Sequence, residues 1–439
     1  MTTTAGRVTI ELGPSSPRVD AATAQLRHLF PVTGVDVHVG YGPPPDGYRV
    51  VDAWRVIPSA ARPLFLVPVD AGAARRLLTS HNRLRGPKVR AARTAASLAV
   101  AGLAAVSGER TVLRASVPRD VPDDAVDAAL VTRHLRRHVP GAVATAVSLR
   151  AFHPLAKPTV QVTDVRGRVV AFTKVASDPA TGDRVEREAV LLRDLGAGLP
   201  GPAVRLPRVL DHGTVGPFTV SVVEPLPQAT RGARRDDEDR VLDRLAAFAA
   251  AFDDPLDGSG PATTPLRTTA LWAELTARVR TVAGPDCTRP DLADALRALT
   301  ESVEQADGAR PVAVGAFHGD WVPWNMGWAG DTLWVWDLEY GSRQGPVGLD
   351  ALRWVYQCTH VLDGVTFTEA VAAMAAAGPR VLPRLGVAAD DVPDLVRTLV
   401  RVHLVAVLST ALAALAAGRG LPPGLDPDAA DVLHAWTAP

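Results

Sequence analysis

The sequence of 439 residues is poor in lysine, asparagine and cysteine. Only three of its 47 lysines and arginines are lysines, at positions 88, 157 and 174, and the chain has only two asparagines. Two cysteines are too few for a disulfide framework, and their positions show no metal-ligand spacing. The rarity of lysine and asparagine gives weight to the place of each one.

The chain also lacks an excess of charge and a long apolar run. Its formal net charge is +0 at pH 7, so no overall field would draw it to nucleic acid or to anionic lipid. A basic stretch at 75–93 without aromatic residues is typical of a solvated helix face rather than of a nucleic-acid interface. The longest apolar helical segments, 95–106 and 404–417, are shorter than the ~20 residues that span a membrane.

The N-terminus does not show the basic-then-apolar pattern of a signal peptide. We therefore expect a soluble, cytoplasmic protein. We expect neither nucleic acid nor a membrane as its partner, and the sequence shows no sign of an obligate protein partner.

The segment FHGDWVPWN, residues 317–325, is the most informative part of the chain. It contains an HGD triplet, and Asn325 follows Asp320 by five residues, while Asp337 in the segment WDLE follows Asn325 by twelve. An HGD triplet alone is a weak signal. The two further oxygen-bearing side chains at these offsets make it a strong one.

This spacing fits ATP-dependent phosphoryl transfer. The reaction needs a carboxylate that orients and deprotonates the acceptor hydroxyl, and ligands that hold Mg²⁺ on the phosphate oxygens. In protein kinases the base Asp and a metal-binding Asn share one loop, and a second metal-binding Asp follows. Asp320 is therefore the candidate catalytic base. Asn325 and Asp337 are candidate ligands of Mg²⁺, a hard cation that prefers oxygen.

The motif HGD-x4-N, followed by WDLE and by GPVGLD, resembles the aminoglycoside phosphotransferase and choline kinase family. These are small-molecule kinases of the protein-kinase-like fold. The resemblance extends from about residue 141 to the C-terminus and is strongest at 317–350. It implies ATP and Mg²⁺ as cofactors, and an amino sugar, sugar or amino alcohol as the hydroxyl acceptor. It also implies that His318 organises the loop by bonding backbone rather than acting as a base.

The predicted fold is α+β and bilobal, with three parts. Residues 1–140 are predicted to form a small α/β N-terminal domain, auxiliary and cap-like. Its strand-like runs, such as YRVVDAWRV (48–56), are accompanied by helices predicted at about 71–82, 88–106 and 123–138. Residues 141–227 carry further strand patterns and are predicted to be the ATP-binding small lobe. Residues 228–439 are predicted to be the catalytic and acceptor-binding large lobe. This lobe is mainly helical, with helices predicted at about 236–254, 266–283, 289–306, 350–362, 366–377 and 393–417.

One of the three lysines falls on a strand of the predicted small lobe. Lys174 lies near the end of the third of three consecutive predicted strands, residues 168–176. In kinases such a lysine contacts the α/β-phosphates, and a glutamate on the next helix holds it. The helix offers two acids. Glu188 is predicted as the partner because EAVLLRDL matches the family pattern, and Glu186 is the alternative.

The loop that would cover the phosphates departs from the family pattern. The link FHPLAKP (152–158) contains no glycine, so its backbone is poorly suited to approach phosphate. Lys157 is predicted to supply charge instead, with an exposed turn residue as the alternative. The family's topology implies that backbone groups of Val223 and Glu224 bind adenine. The glycine-free link keeps a second interpretation open, a pseudokinase-type regulatory or binding module without turnover.

Further residues are predicted to support the site. The alternating run LWVWD (333–337) predicts a strand that delivers Asp337, and Glu339 would lie on the same strand face. Asp350 is predicted to cap the helix that begins ALRWVYQ and to brace the neighbouring segment. Five tryptophans are predicted either to pack in the core or to stack on an acceptor ring: Trp321, Trp324, Trp328, Trp334 and Trp336.

Overall fold

The computed structural model describes residues 6–31, 33–81, 111–149, 158–199, 201–252, 262–416, 418, 421, 425 and 429–437. The chain forms two compact units. The first comprises Met1–Val190 and Pro207–Gln228, and the second comprises Leu191–Leu206 and Ala229–Pro439. Lys157 and most of the basic stretch at 75–93 lie outside the described residues.

The first unit is built on one ten-stranded sheet. Its ten strands are β1 (Val8–Glu11), β2 (Val37–Tyr41), β3 (Tyr48–Ser59), β4 (Arg62–Pro68), β5 (Val112–Pro118), β6 (Ala144–Ser148), β7 (Thr159–Thr163), β8 (Val169–Ala176), β10 (Val209–Val215) and β11 (Phe218–Val223). The short strand β9 (Val204–Arg205) belongs to the second unit. The order in the sheet is β1-β2-β5-β3-β4-β6-β7-β8-β11-β10. β1 and β2 are parallel, and the other neighbours are antiparallel.

The sheet runs across the domain boundary predicted at residue 140. β4 pairs with β6, with Leu66 opposite Val147, and one core cluster contains both of these residues together with Leu113 and Val160. The backbone of β4 thereby satisfies the edge of β6, which an isolated small lobe would leave open. The boundary itself stays a prediction.

Within the described residues, four helices lie in the first unit, and a fifth continues into the second. They are α1 (Pro17–Arg27), α2 (Ala71–His81), α3 (Asp123–Ala129), α4 (Val131–His138) and α5 (Pro179–Gly198). Ser16 caps α1 by accepting a hydrogen bond from the Val19 N–H at 3.3 Å. The continuous helix that the sequence predicts over 123–138 is wrong, because Leu130 has an extended backbone, φ −131° and ψ 112°. The helix predicted at 88–106 lies outside the described residues.

The second unit is mainly helical. Its helices are α6 (Glu238–Ala249), α7 (Ala270–Val282), α8 (Pro290–Ala306), α9 (Leu349–Gln357), α10 (Phe367–Val381), α11 (Val392–Ala416) and α12 (Ala429–Thr437). Short strands form two small sheets, β12-β15-β16-β9 and β13-β14-β17, from β12 (Arg231–Gly232), β13 (Thr263–Pro265), β14 (Pro311–Phe317), β15 (Met326–Ala329), β16 (Thr332–Val335) and β17 (Ser342–Pro346). The predicted α+β class, with a β-rich region before a helical one, is confirmed.

α11 is longer than the apolar segment that the sequence predicts at 404–417. In the described part of the chain, one helical stretch, residues 389–416, is long and apolar enough to cross a membrane by length and composition. The expectation that this segment is too short is therefore wrong. However, 61% of its most apolar window is buried inside the structure, and its Arg401 forms a fully buried ion pair with Asp307 at 2.5 Å. This is the environment of a core helix.

Candidate active site

A short hairpin brings the two parts of the predicted motif together. β15 begins directly after Asn325, β16 ends directly before Trp336, and the strands pair with Met326 opposite Val335. The Trp336 N–H donates to the Asn325 carbonyl oxygen at 3.0 Å, which extends the pairing by one step. Because antiparallel strands return the chain to its starting point, the residues before and after the hairpin become neighbours. The twelve-residue spacing of Asn325 and Asp337 follows from this geometry.

The backbone conformation and the close packing at position 319 both require a glycine in the HGD triplet. Gly319 has φ +77°, the left-handed region that favours glycine. A Cβ at this position would lie 2.3 Å from the carbonyl oxygen of Tyr340. The loop therefore approaches the segment after Asp337 more closely than any other residue would allow.

Two side chains hold the carboxylate of Asp320. Arg353 on α9 donates to Oδ1 from two nitrogens, at 2.7 Å and 3.1 Å. The Asn325 amide nitrogen donates to Oδ2 at 2.8 Å and to the Asp320 carbonyl oxygen at 3.1 Å. Charge-assisted bonds of this kind are the stronger class of hydrogen bond, so they fix the orientation of the carboxylate. The Asp320 side chain is still 22% exposed.

His318 is a buried link between the loop and the segment that carries Asp337. The Asp320 N–H donates to its Nδ1 at 3.1 Å, and its Nε2 lies 3.0 Å from the Trp336 carbonyl oxygen. A backbone N–H only donates and a carbonyl only accepts, so His318 is neutral with its proton on Nε2. Burial lowers the pKa of His318. The carboxylates of Asp320 and Asp337 act in the opposite direction, because they favour the protonated form, but the effect of burial is larger. His318 organises the loop through backbone contacts, in the manner that the resemblance implies.

Asp350 supports the loop from below. Its carboxylate accepts hydrogen bonds from the backbone N–H groups of His318 at 2.7 Å and Gly319 at 3.1 Å. Burial raises the pKa of Asp350 to about 7, although these two bonds and Arg353 favour the ionised form. The prediction that it caps its helix is wrong. α9 begins one residue earlier, at Leu349, its N-cap is Gly348, and Asp350 turns away from the helix end to the loop.

Asp337 has an unusual backbone. Among the described residues it is the only one other than glycine with a positive φ, 72°. Such a conformation costs roughly 1 kcal/mol or more and is found where the surroundings impose it, often at functional sites. The strand predicted over 333–337 is wrong at its end, because β16 stops at Val335. Glu339 consequently lies in a turn and not on a strand face shared with Asp337.

The first unit contains the ion pair that the sequence predicts. The Nζ of Lys174 on β8 lies 2.5 Å from Oε2 of Glu188 on α5, and the Glu188 side chain is only 6% exposed. Alternation along β8 buries Ala171 and Val175 and leaves Phe172 and Lys174 on the partly exposed face. Glu188 rather than Glu186 is therefore the partner of Lys174. Their role towards phosphates stays a prediction.

The two residues predicted to bind adenine lie at the end of β11. Val223 pairs with Phe172 across the sheet. The Glu224 N–H donates to the carbonyl oxygen of Arg208 at 2.9 Å, and its Oε1 accepts from the Arg208 N–H at 3.0 Å. The N–H and the carboxylate of Glu224 are thus engaged within the first unit, while its role towards a nucleotide stays a prediction.

The donor set in the second unit fits Mg²⁺. The amide nitrogen of Asn325 is turned to Asp320, so its amide oxygen is the atom left for a cation. Asp337, one hairpin away, is the candidate for a second oxygen ligand. Among the described residues no group of three or more His, Cys, Asp or Glu side chains forms a metal site. Two protein ligands nevertheless suffice, since Mg²⁺ usually keeps waters and phosphate oxygens as its other ligands.

Arg353 is the site residue that sequence reasoning missed. It follows Asp350 by three residues on α9, and residues so spaced share a helix face. That spacing was the available signal, because Asp350 belongs to the recognised motif. The tryptophans fall into different environments. Trp321 and Trp328 are buried, Trp334 and Trp336 are partly buried, and Trp324 is exposed.

Solved structures of several phosphotransferases are similar to this chain at low identity. A thermostable mutant of aminoglycoside phosphotransferase APH(4)-Ia, in complex with ADP and hygromycin B, is 14% identical, with 70% of this chain and 96% of that chain covered and a TM-score of 0.44. An ethanolamine kinase of Plasmodium vivax is 13% identical, covering 65% and 78%, with a TM-score of 0.40. A choline/ethanolamine kinase family protein of Mesorhizobium loti is 15% identical, covering 65% and 85%, with a TM-score of 0.37.

A search of curated proteins finds no match. Residues 148–342 match the model of a family described as phosphotransferase enzyme family. This range includes Lys174, Glu188 and the whole hairpin from Asp320 to Asp337. Over residues 148–342 this chain is therefore similar to the phosphotransferase enzyme family, which agrees with the resemblance that the HGD motif indicates.

Proposed function

We propose that this protein is an ATP- and Mg²⁺-dependent phosphotransferase that moves the γ-phosphoryl group to a hydroxyl of a small molecule. The acceptor is an amino sugar, a sugar or an amino alcohol. The observation that carries the proposal is the fixed carboxylate of Asp320, held by Asn325 at 2.8 Å and by Arg353 at 2.7 Å. It lies in the HGD loop, within the region that matches the model of a phosphotransferase family.

Each residue has a defined part in this proposal. Asp320 orients the acceptor hydroxyl and accepts its proton, as a general base does. Asn325 and Asp337 hold Mg²⁺, which when bound neutralises charge on the phosphate oxygens. In the first unit, Lys174 binds the α/β-phosphates, and Glu188 keeps its ammonium group in place.

Phosphoryl transfer requires little covalent chemistry from the protein, so positioning supplies much of the rate. The contacts around Asp320 serve this need. Arg353 approaches one carboxylate oxygen from α9, while Asn325 approaches the other from its own loop. His318 and Asp350 fix the backbone of the same loop.

The alternative function is a pseudokinase-type binding module without turnover. The observation that favours it is that both carboxylate oxygens of Asp320 already accept hydrogen bonds, from Arg353 and from Asn325. An acceptor hydroxyl must share one of these oxygens. The two functions differ in whether ATP is consumed when an acceptor is present.

The test compares the wild type with Asp320→Asn. The wild type should transfer phosphate from ATP·Mg²⁺ to a member of a panel of sugars, amino sugars and amino alcohols. The variant should bind ATP by calorimetry but lose turnover by roughly 100-fold or more, the usual contribution of a general base. Unchanged turnover in the variant would remove Asp320 from this role. ATP binding without turnover by the wild type would support the binding module, and absent ATP binding would exclude both functions.

A further inference from the structure

Trp324 is exposed although the loop around it is packed. Its exposed fraction is 40%, whereas Trp321 and Val322 are 0% exposed and Asn325 is 4% exposed. All nine tryptophans of the chain are described by the structure, and Trp324 is the only one that is exposed rather than buried or partly buried. Moving a large aromatic side chain such as an indole out of water is strongly favourable in free energy. The exposure of Trp324 therefore needs an explanation other than core packing.

The backbone that carries Trp324 is held on both sides. Pro323, Trp324 and Asn325 form one turn of 3₁₀ helix, closed by the Asn325 N–H, which donates to the Val322 carbonyl oxygen at 3.0 Å. The Asn325 carbonyl oxygen accepts from the Trp336 N–H at 3.0 Å. Trp324 is thus an aromatic side chain on a rigid support. It directly precedes the proposed metal ligand and follows the proposed base by four residues.

The charges of the loop favour a neutral partner for this indole. The carboxylate on the same loop, Asp320, is already paired with the guanidinium of Arg353. That guanidinium side chain is itself 20% exposed, and it would repel an ammonium group brought close to Asp320. A cationic acceptor would gain little from a carboxylate that already has a cation as its partner. An uncharged ring with a flat C–H face has no such disadvantage.

We propose that Trp324 is a specificity-determining residue that stacks against the ring of a neutral cyclic polyol, the acceptor whose hydroxyl receives the phosphoryl group. This inference rests on the proposed phosphotransferase function and names its acceptor class. The indole covers the apolar face of the ring, while the hydroxyl to be phosphorylated points to the Asp320 carboxylate. The hydroxyl oxygen of the acceptor forms the bond to the γ-phosphorus, and the bond between this phosphorus and ADP breaks. The proton of the hydroxyl passes to Asp320.

The test is steady-state kinetics of the full-length wild type, Trp324→Phe, Trp324→Ala and Trp436→Ala. The acceptors are neutral hexoses and disaccharides, the matching 2-amino hexoses, and acyclic amino alcohols such as ethanolamine. We expect the wild type to prefer a neutral ring compound. Trp324→Ala should raise the KM for that acceptor roughly tenfold, while the KM for ATP serves as an internal reference. Trp324→Phe should keep the acceptor KM close to the wild-type value, because it retains an aromatic face.

Trp436 is a partly buried tryptophan on α12 and provides the matched control. Its change to alanine should leave the KM for the acceptor unchanged. An unchanged acceptor KM in Trp324→Ala, or an equal rise in Trp436→Ala, would overturn the role of Trp324. A wild type that turns over only amino compounds, or that binds ATP·Mg²⁺ and turns over no compound of the panel, would overturn the neutral-ring assignment. A wild type that does not bind ATP would overturn the proposed function itself, a different result.

Discussion

Arg353 and Asp320 form an ion pair in which two guanidinium nitrogens donate to one carboxylate oxygen, at 2.7 Å and 3.1 Å. The contact joins α9 to the HGD loop. It fixes the carboxylate that we assign as the base. The guanidinium is a planar fork with a fixed geometry, which a lysine ammonium does not reproduce.

Replacing Arg353 should therefore reduce kcat more than it changes the KM for ATP. For Arg353→Lys we expect a fall in kcat of roughly 10- to 100-fold, because a carboxylate that is free to rotate is less often in line with the hydroxyl. Arg380→Ala breaks an ion pair with Glu238 elsewhere in the second unit and serves as the control. An equal loss in both variants would show that Arg353 contributes to folding only.

The two acids on α5 allow a matched test of the lysine contact. Glu188→Gln removes the charge that faces Lys174 at 2.5 Å, and Glu186→Gln removes a charge two residues away. We expect the first change to raise the KM for ATP by roughly tenfold, on the order of one charge-assisted hydrogen bond. The second should have little effect. Nucleotide titration of both variants checks this, and equal affinities would contradict it.

Two glycines separate the effect of backbone strain from that of a steric clash. Gly319 and Gly330 both have positive φ, +77° and +61°, but a Cβ at Gly330 would meet open space, whereas at Gly319 it would lie 2.3 Å from the Tyr340 oxygen. Gly330→Ala should cost about 1 kcal/mol of unfolding free energy. Gly319→Ala should cost more than that and also abolish turnover. Chemical denaturation and an activity assay measure both. Similar losses of stability would show that the close approach is not required.

The titration of Asp350 should make the unfolding free energy of the protein depend on pH. The pKa of Asp350 is raised to about 7 in the folded protein by burial, so between pH 4 and 7 the folded state binds more protons than the unfolded state. The contribution of this group to the unfolding free energy is therefore fully favourable below about pH 4 and decreases as pH rises towards 7, by at most about 1.4 kcal/mol per pH unit.

The variant Asp350→Asn lacks this titration. The difference in unfolding free energy between wild type and variant should shift against the wild type as pH rises from 4 to 7. Burial lowers the pKa of His318, which acts in the opposite direction on acidification, but His318 is present in both proteins and largely cancels. Denaturant titrations at several pH values measure the difference. A difference that does not change with pH would contradict the raised pKa.

The sequence predicts the parts of the site that depend on local patterns. The HGD-x4-N spacing, Lys174 on its strand and Glu188 on the next helix all follow from residue types at fixed offsets. The positive φ of Asp337 was not predictable, because in a residue other than glycine it arises from contacts made by the folded chain. Arg353 was missed because its partner, Asp320, lies 33 residues earlier.

The fold shows the same division. Most helices of the second unit lie close to their predicted positions, as in α8, where Leu292, Leu296 and Leu299 recur at helical spacing. The ten-stranded sheet was not predicted, since the pairing of β4 with β6 joins residues about 80 positions apart, Leu66 and Val147. No local pattern specifies which of two strand edges will meet, because the pairing depends on the core that both strands share.

The proposed function depends most on Asn325 and Asp337, which we assign as the ligands of one Mg²⁺ ion. The most direct measurement is calorimetric titration of ATP, with and without Mg²⁺, into the wild type and Asp337→Asn. We expect Mg²⁺ to strengthen ATP binding to the wild type by roughly tenfold or more, and we expect the variant to lose most of this gain. An equal gain in both proteins would contradict this assignment, and so would ATP binding to the wild type that does not respond to Mg²⁺.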